Sequence, residues 1–160
     1  MFTGRTHRIL TLTPTVTLAA YTAKDCMGGK LSFLGAGNTD GAASGGVIRS
    51  AILSDAAAVA QVNTIRLFLF DSDPSSSTLT DAAALDIDDA DLSKVVGSIA
   101  FTVALYGDQG VDNTVGGFGD LYIPYDLGTG TTLFGALQVV GAEDLVATDD
   151  ITIRLGVQLD

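Results

Sequence analysis

The sequence predicts an all-β fold: one antiparallel β-sandwich domain of jelly-roll or Greek-key type, with about eight strands and one or two short helical turns near residues 80–92. Three observations carry this. The chain has 18 Asp but a single Glu, Glu143. Asp favours turns and caps because its short side chain bonds nearby backbone, whereas Glu favours helices. Lys, Arg and Glu together number 9 of 160 residues, too few for the polar faces of several amphipathic helices. Thr also occurs 18 times, a residue suited to half-buried strands, and apolar residues alternate with polar ones in several segments.

The elements follow in order. His7–Leu18 alternates Leu10, Leu12, Val16 and Leu18 with Thr11, Thr13, Thr15 and Thr17. Pro14 interrupts it, which predicts an edge strand, a bulge or two short strands. Lys30–Leu34 is the next strand, after Gly28-Gly29. Gly35–Gly46 has no large side chain to bury and reads as a long mobile loop. Val47–Ser54 resumes the strand pattern, and Asp55–Ala58 is a connection. In Val62–Phe70, Ile65, Leu67 and Leu69 share one face and Arg66, Phe68 and Phe70 the other, as a central strand requires.

Asp71–Asp91 breaks the alternation. Thr80–Leu85 and Asp88–Leu92 read as single helical turns, the first capped by Thr80 or Asp81 and the second by Asp88. Further strands fall at Val95–Leu105, Leu121–Tyr125, Thr131–Val140 and Asp150–Leu159, and the Gly-rich stretch 107–119 reads as a flexible loop at the end of the sandwich. The expected organisation is a flexible N-terminal arm at residues 1–8 and one sandwich domain at 9–160.

Composition excludes several function classes. The formal net charge of −11 opposes nucleic acid and anionic membranes as partners. No apolar run approaches the roughly 18 residues needed to span a bilayer, and the alternating N-terminal segment does not resemble a signal peptide's apolar core. A soluble protein outside the general secretory route is expected. Cys26 is the single cysteine, so neither an intrachain disulfide nor a cysteine zinc site is available.

The densest polar feature is the group Asp71, Asp73, Asp81, Asp86, Asp88, Asp89 and Asp91. Asp71, Asp73 and Asp81 are the candidate calcium ligands, since hard cations take converging carboxylate oxygens. The spacing does not fit an EF-hand: Ser76 stands where its turn glycine should be. Turns and caps on a solvated edge are the favoured reading, with no metal and no cofactor. Asp108, Asp112, Asp120 and Asp126 lie among glycines, and Gly116-Gly117-Phe118-Gly119 lacks the Lys-Ser/Thr of a phosphate loop. Catalysis is not expected. Glycoside hydrolysis by paired carboxylates wants a groove with aromatic platforms, and the chain has no Trp. Ser44 lacks the Gly-x-Ser-x-Gly setting, and His7 is the single histidine. What remains is an interaction protein, using exposed strand edges, loops and the arm.

Four segments, Tyr21–Phe33, Leu67–Ile99, Thr131–Ala142 and Asp150–Asp160, resemble a group of small proteins encoded in tailed-bacteriophage structural-gene regions. The resemblance rests on the order of strand and turn segments, from about residue 10 onward, and involves no catalytic motif. It implies a virion protein of the capsid decoration, or cement, type on the outer capsid surface. Its partners would be the major capsid protein and further copies of itself, as a trimer set by icosahedral local threefolds. Arg5, His7 and Arg8 in the arm are the expected partner-binding residues. The alternative function is a head or tail fibre or receptor-binding module that recognises host-surface glycans.

Overall fold

The computed structural model describes residues 6–18, 20–38, 44–56, 63–102, 106–108, 114–142, 145 and 147–160. Among these, ten strands form two antiparallel sheets. They are β1 (His7–Leu12), β2 (Cys26–Leu34), β3 (Gly45–Asp55), β4 (Ile65–Phe70), β5 (Val95–Phe101), β6 (Tyr106–Asp108), β7 (Thr114–Phe118), β8 (Ile123–Asp126), β9 (Thr132–Val139) and β10 (Ile151–Leu159). One sheet runs β1-β10-β3-β7-β6, with β8 pairing β3 beside β7. The other runs β2-β9-β4-β5.

The pairs are nested: β1 with β10, β2 with β9, β3 with β7 and β8, and β4 with β5. The chain therefore pairs like one long hairpin, rolled so that alternate pairs fall in opposite sheets, which is a jelly roll. The expected sandwich is present.

The core lies between the sheets. Leu31, Phe33, Leu67, Phe101, Leu133 and Leu137 from the four-stranded sheet meet Ile48, Leu53, Ile151, Ile153, Leu155 and Val157 from the six-stranded one, and all are buried. β10, the strand with the clearest alternation, lies between β1 and β3, where its apolar face meets the core. β4 sits between β9 and β5, as its two apolar faces predict.

Several elements differ from the sequence reading. β1 ends at Leu12, before Pro14, which is itself buried. β2 begins at Cys26 because Gly28 and Gly29 adopt φ of +73° and +71° in a bulge that shifts the register between Met27 and Lys30. A Cβ at Gly28 would also lie 2.5 Å from the Pro14 Cβ, so this position is closed to side chains twice over. In the predicted loop at 35–46, Ala36 N donates to Thr131 O and Ser44 N to Gly128 O, and Gly45-Gly46 opens β3; residues 39–43 lie outside the described residues. The Gly-rich stretch 107–119 contains β7 and two residues of β6, because pairing with β3 supplies the backbone partners that its own composition does not advertise. A single helical turn appears among the described residues, a 3-10 turn at Asp89–Lys94 capped by Asp88, whose carboxylate accepts from Ala90 N at 2.8 Å. Near residue 80 the chain instead makes isolated bridges to Asp25, Cys26 and Thr78.

Candidate docking surface

The outward residues of the six-stranded sheet follow from strand alternation and register. Across the strands, His7 stands beside Gln158, Val47 and Pro124. Ile9 stands beside Gly156 and Ser50 in the next row. The third row is Thr11, Arg154, Ile52 and Gly117. The fourth is Thr152, Ser54 and Val115, with the Thr13 hydroxyl 3.0 Å from that of Thr152. Arg49 is the extra residue where the β3–β10 register shifts, and its guanidinium lies 5.7 Å from the Tyr122 ring centroid.

Not one of these residues is Asp or Glu, on a chain with a net charge of −11. Ile9 (59% exposed), Ile52 (36%), Val115 (37%) and Tyr122 (72%) all lie here, half of the exposed large hydrophobics among the described residues. Gly156 keeps the face flat: a Cβ there would lie 2.2 Å from the Ser50 Oγ and 3.6 Å from the Ile9 Cδ1. Arg154 is exposed at the centre of the third row, and among the described residues no carboxylate is within ion-pair reach of it.

Two carboxylates border these rows: Asp126 and Asp160 flank Gly45, in the next row beyond His7 and Gln158. The acidic group at 71–91 lies elsewhere. The connection between β4 and β5 is tied to β2 of the opposite sheet: Cys26 N donates to Ala83 O, and Lys30 Nζ meets Asp73 Oδ1 at 2.8 Å. Asp91 is buried and organises this segment. Its Oδ2 accepts from Ser76 N, Ser77 N and Ser77 Oγ at 2.7–2.9 Å, and its Oδ1 accepts from Lys94 Nζ at 2.6 Å. The Lys94 ammonium first, and the serine donors after it, hold the Asp91 carboxyl down to about 2 against the opposing effect of burial. Lys30, Pro74, Ser75, Ser77, Thr78, Leu79 and Thr80 line an open groove of about 350 Å³, four of them hydroxyl residues.

The candidate calcium ligands each have separate partners. Asp71 accepts from the Ser72 hydroxyl, and Asp73 pairs with Lys30. Asp81 Oδ1 accepts from the Tyr21 hydroxyl at 2.7 Å and from Gly28 N at 2.6 Å. Among the described residues no three His, Cys, Asp or Glu side chains converge in a way that could hold a metal ion. Burial, aided by Asp81, pushes the Tyr21 hydroxyl well above its usual range. Cys26 is buried, and desolvation pushes its thiol up to about 11, as befits a small core side chain.

The expected partner-binding residues separate. Arg5 lies outside the described residues. His7 and Arg8, assigned to the arm, are the first two residues of β1, paired with Gln158 and Val157. Arg8 opposes the inward Val157, and its Nη1 donates to Gly35 O at 2.8 Å and Gly37 O at 3.1 Å. Its guanidinium thus clamps the turn after β2. His7 remains exposed in the outer face. The sequence reading missed Arg154, Ile9 and Ile52 as surface candidates. The signal was present in β10, where Arg154 is the single charge on the polar face of the strand, but it has meaning only beside its neighbours in β1 and β3.

The chain matches no protein-family model and no curated protein. Among solved structures it is similar to one described as the structure of tomato aspermy virus by X-ray crystallography. The identity is 14%, the TM-score is 0.41, and the match covers 97% of this chain and 76% of that one.

Proposed function

We propose that this protein is a structural virion protein: a decoration protein that binds the major capsid protein lattice from outside the head of a tailed phage and stabilises it. It acts by binding and not by catalysis, as a homotrimer at local threefold positions. The observation that carries this reading is a strand face whose four rows from His7 to Val115 hold no carboxylate, with four exposed hydrophobic side chains, on a chain of net charge −11. Solvent-facing surfaces ordinarily intersperse charges of both signs, and a face with apolar anchors and two arginines suits a protein partner. The resemblance of four segments to tailed-phage virion proteins points the same way.

The hydroxyl-lined groove beside Lys30 favours a second reading, a receptor-binding module that takes host-surface glycans. One experiment separates the two. Purified protein is added to undecorated heads and, in parallel, to host cells. Saturable binding to heads, with density over local threefolds and a raised head melting temperature, is the expected result. Binding to cells but not to heads would replace the first reading by the second.

A further inference from the structure

We infer that the outer face of the six-stranded sheet, and not the N-terminal arm, seats this protein on its shell, and that the shell presents a carboxylate to Arg154. The inference rests on the decoration reading and names the surface and the partner chemistry within it.

Charge selects the face. Asp71, Asp86, Asp88 and Asp89 stand on the connection tied to the four-stranded sheet, and Asp126 and Asp160 flank Gly45 at one edge of the outer face itself, beyond the row of His7 and Gln158 and away from Arg154. An acidic partner is repelled by those surfaces and finds no carboxylate on the rows from His7 to Val115. Arg154 then selects the occupant. It sits mid-row between Thr11 and Ile52, so a protein pressed flat on this face takes its guanidinium out of water. A second copy centred face to face on Arg154 brings another Arg154 to it, because the acids of this face, Asp126 and Asp160, stand at its far edge, six residues along from Arg154 in the case of Asp160, and that pairing leaves two buried unpaired charges. A partner carboxylate satisfies the guanidinium in a bidentate pair, with Ile9, Ile52 and Val115 as apolar contacts around it.

The size of the face agrees with a cooperative binder. Four strands spaced about 4.8 Å apart, each rising about 3.3 Å per residue over seven residues, make a patch of roughly 400 Å². That is about half of one side of a standard interface, so one copy binds weakly and an oligomer gains by avidity.

The test uses the full chain and undecorated heads, with binding measured by sedimentation and solution mass by light scattering. Arg154→Glu and Ile52→Asp are expected to weaken head binding at least about tenfold with the melting temperature kept. Thr11→Glu, on an exposed edge-strand position of the same row, covers the case in which a central-strand variant fails to fold. Lys24→Glu, on an exposed turn away from the face, and a chain lacking residues 1–5 are expected to bind like wild type. Unchanged binding by the face variants overturns the inference while leaving the decoration reading in place. Loss of binding on removing residues 1–5, with the face variants intact, returns the role to the arm. Self-association abolished by Arg154→Glu, with head binding kept, makes a second copy the occupant. Wild-type protein that does not bind heads removes both this inference and the reading beneath it.

Discussion

Asp81→Ala is expected to be strongly destabilising although Asp81 lies on a loop and is only half-buried. Its Oδ1 is the acceptor for two donors from distant segments, the Tyr21 hydroxyl and Gly28 N. Tyr21 has no exposed surface, and its oxygen also accepts from Thr17 N at 2.9 Å, so the pair links three segments of chain. A hydrogen bond to a charged group contributes about 1.5–3 kcal/mol, and stranding a buried donor adds its desolvation cost. Losing both bonds, with some rehydration of Gly28 N, should cost about 3 kcal/mol. For 160 residues, an unfolding entropy of about 2.1 cal/mol/K per residue converts this to a fall in Tm of about 9 °C. Asp81→Asn keeps an acceptor oxygen and should cost about 1 kcal/mol. Urea and thermal unfolding of Asp81→Ala, Tyr21→Phe and the double variant complete a cycle whose coupling energy should be about 1 kcal/mol or more. Additive single effects, or a cost below about 1 kcal/mol for Asp81→Ala, would refute the assigned bonding.

Other perturbations probe separate parts of the fold. Gly28→Val forces a branched side chain into φ +73° and against Pro14, and should cost about 3 kcal/mol in urea unfolding. Burial holds the Cys26 thiol up to about 11 and the Tyr125 hydroxyl up to about 12. Both groups are therefore neutral in the folded chain where the unfolded chain ionises, so Tm should fall as pH rises from about 9 to 12. In Cys26→Ala that fall should begin about one pH unit later. Asp91 titrates lower folded than unfolded, so its contribution is present above about pH 4 and lost as pH drops towards 2. Asp91→Asn should flatten the acid limb of a Tm-against-pH profile. A chelator should leave Tm unmoved, because Asp71, Asp73 and Asp81 are bonded to Ser72, Lys30, Tyr21 and Gly28; a chelator-induced fall would mean that a cation binds the native state.

Strand alternation is a local property, and it was legible wherever a strand has one wet face. β10 and β3 match the sequence reading to within a residue or two, and the Asp88 cap sits where the Asp-rich turn places it. Reading failed where a strand's evidence lies in its partner. Thr114–Phe118 carries Gly116-Gly117 and looks like a loop, yet β3 takes it as a neighbour along Ala51–Asp55. It failed again at Arg8, a basic residue near the chain start, because the carbonyls of Gly35 and Gly37 that bind it are distant in sequence.

By itself, the sequence determined that this chain is all-β, that its acids belong to turns and not to helices, and that its one cysteine has no disulfide partner within the chain. These follow from side-chain chemistry acting over a few residues. Only the tertiary structure decided which strands pair, that the chain closes as a jelly roll, and that the outward residues of β1, β10, β3 and β7 assemble into a face with four carboxylate-free rows around Arg154. Pairing energy is spent between segments far apart in sequence, so the face has no local signature: its rows exist only once register sets Thr11, Arg154, Ile52 and Gly117 side by side.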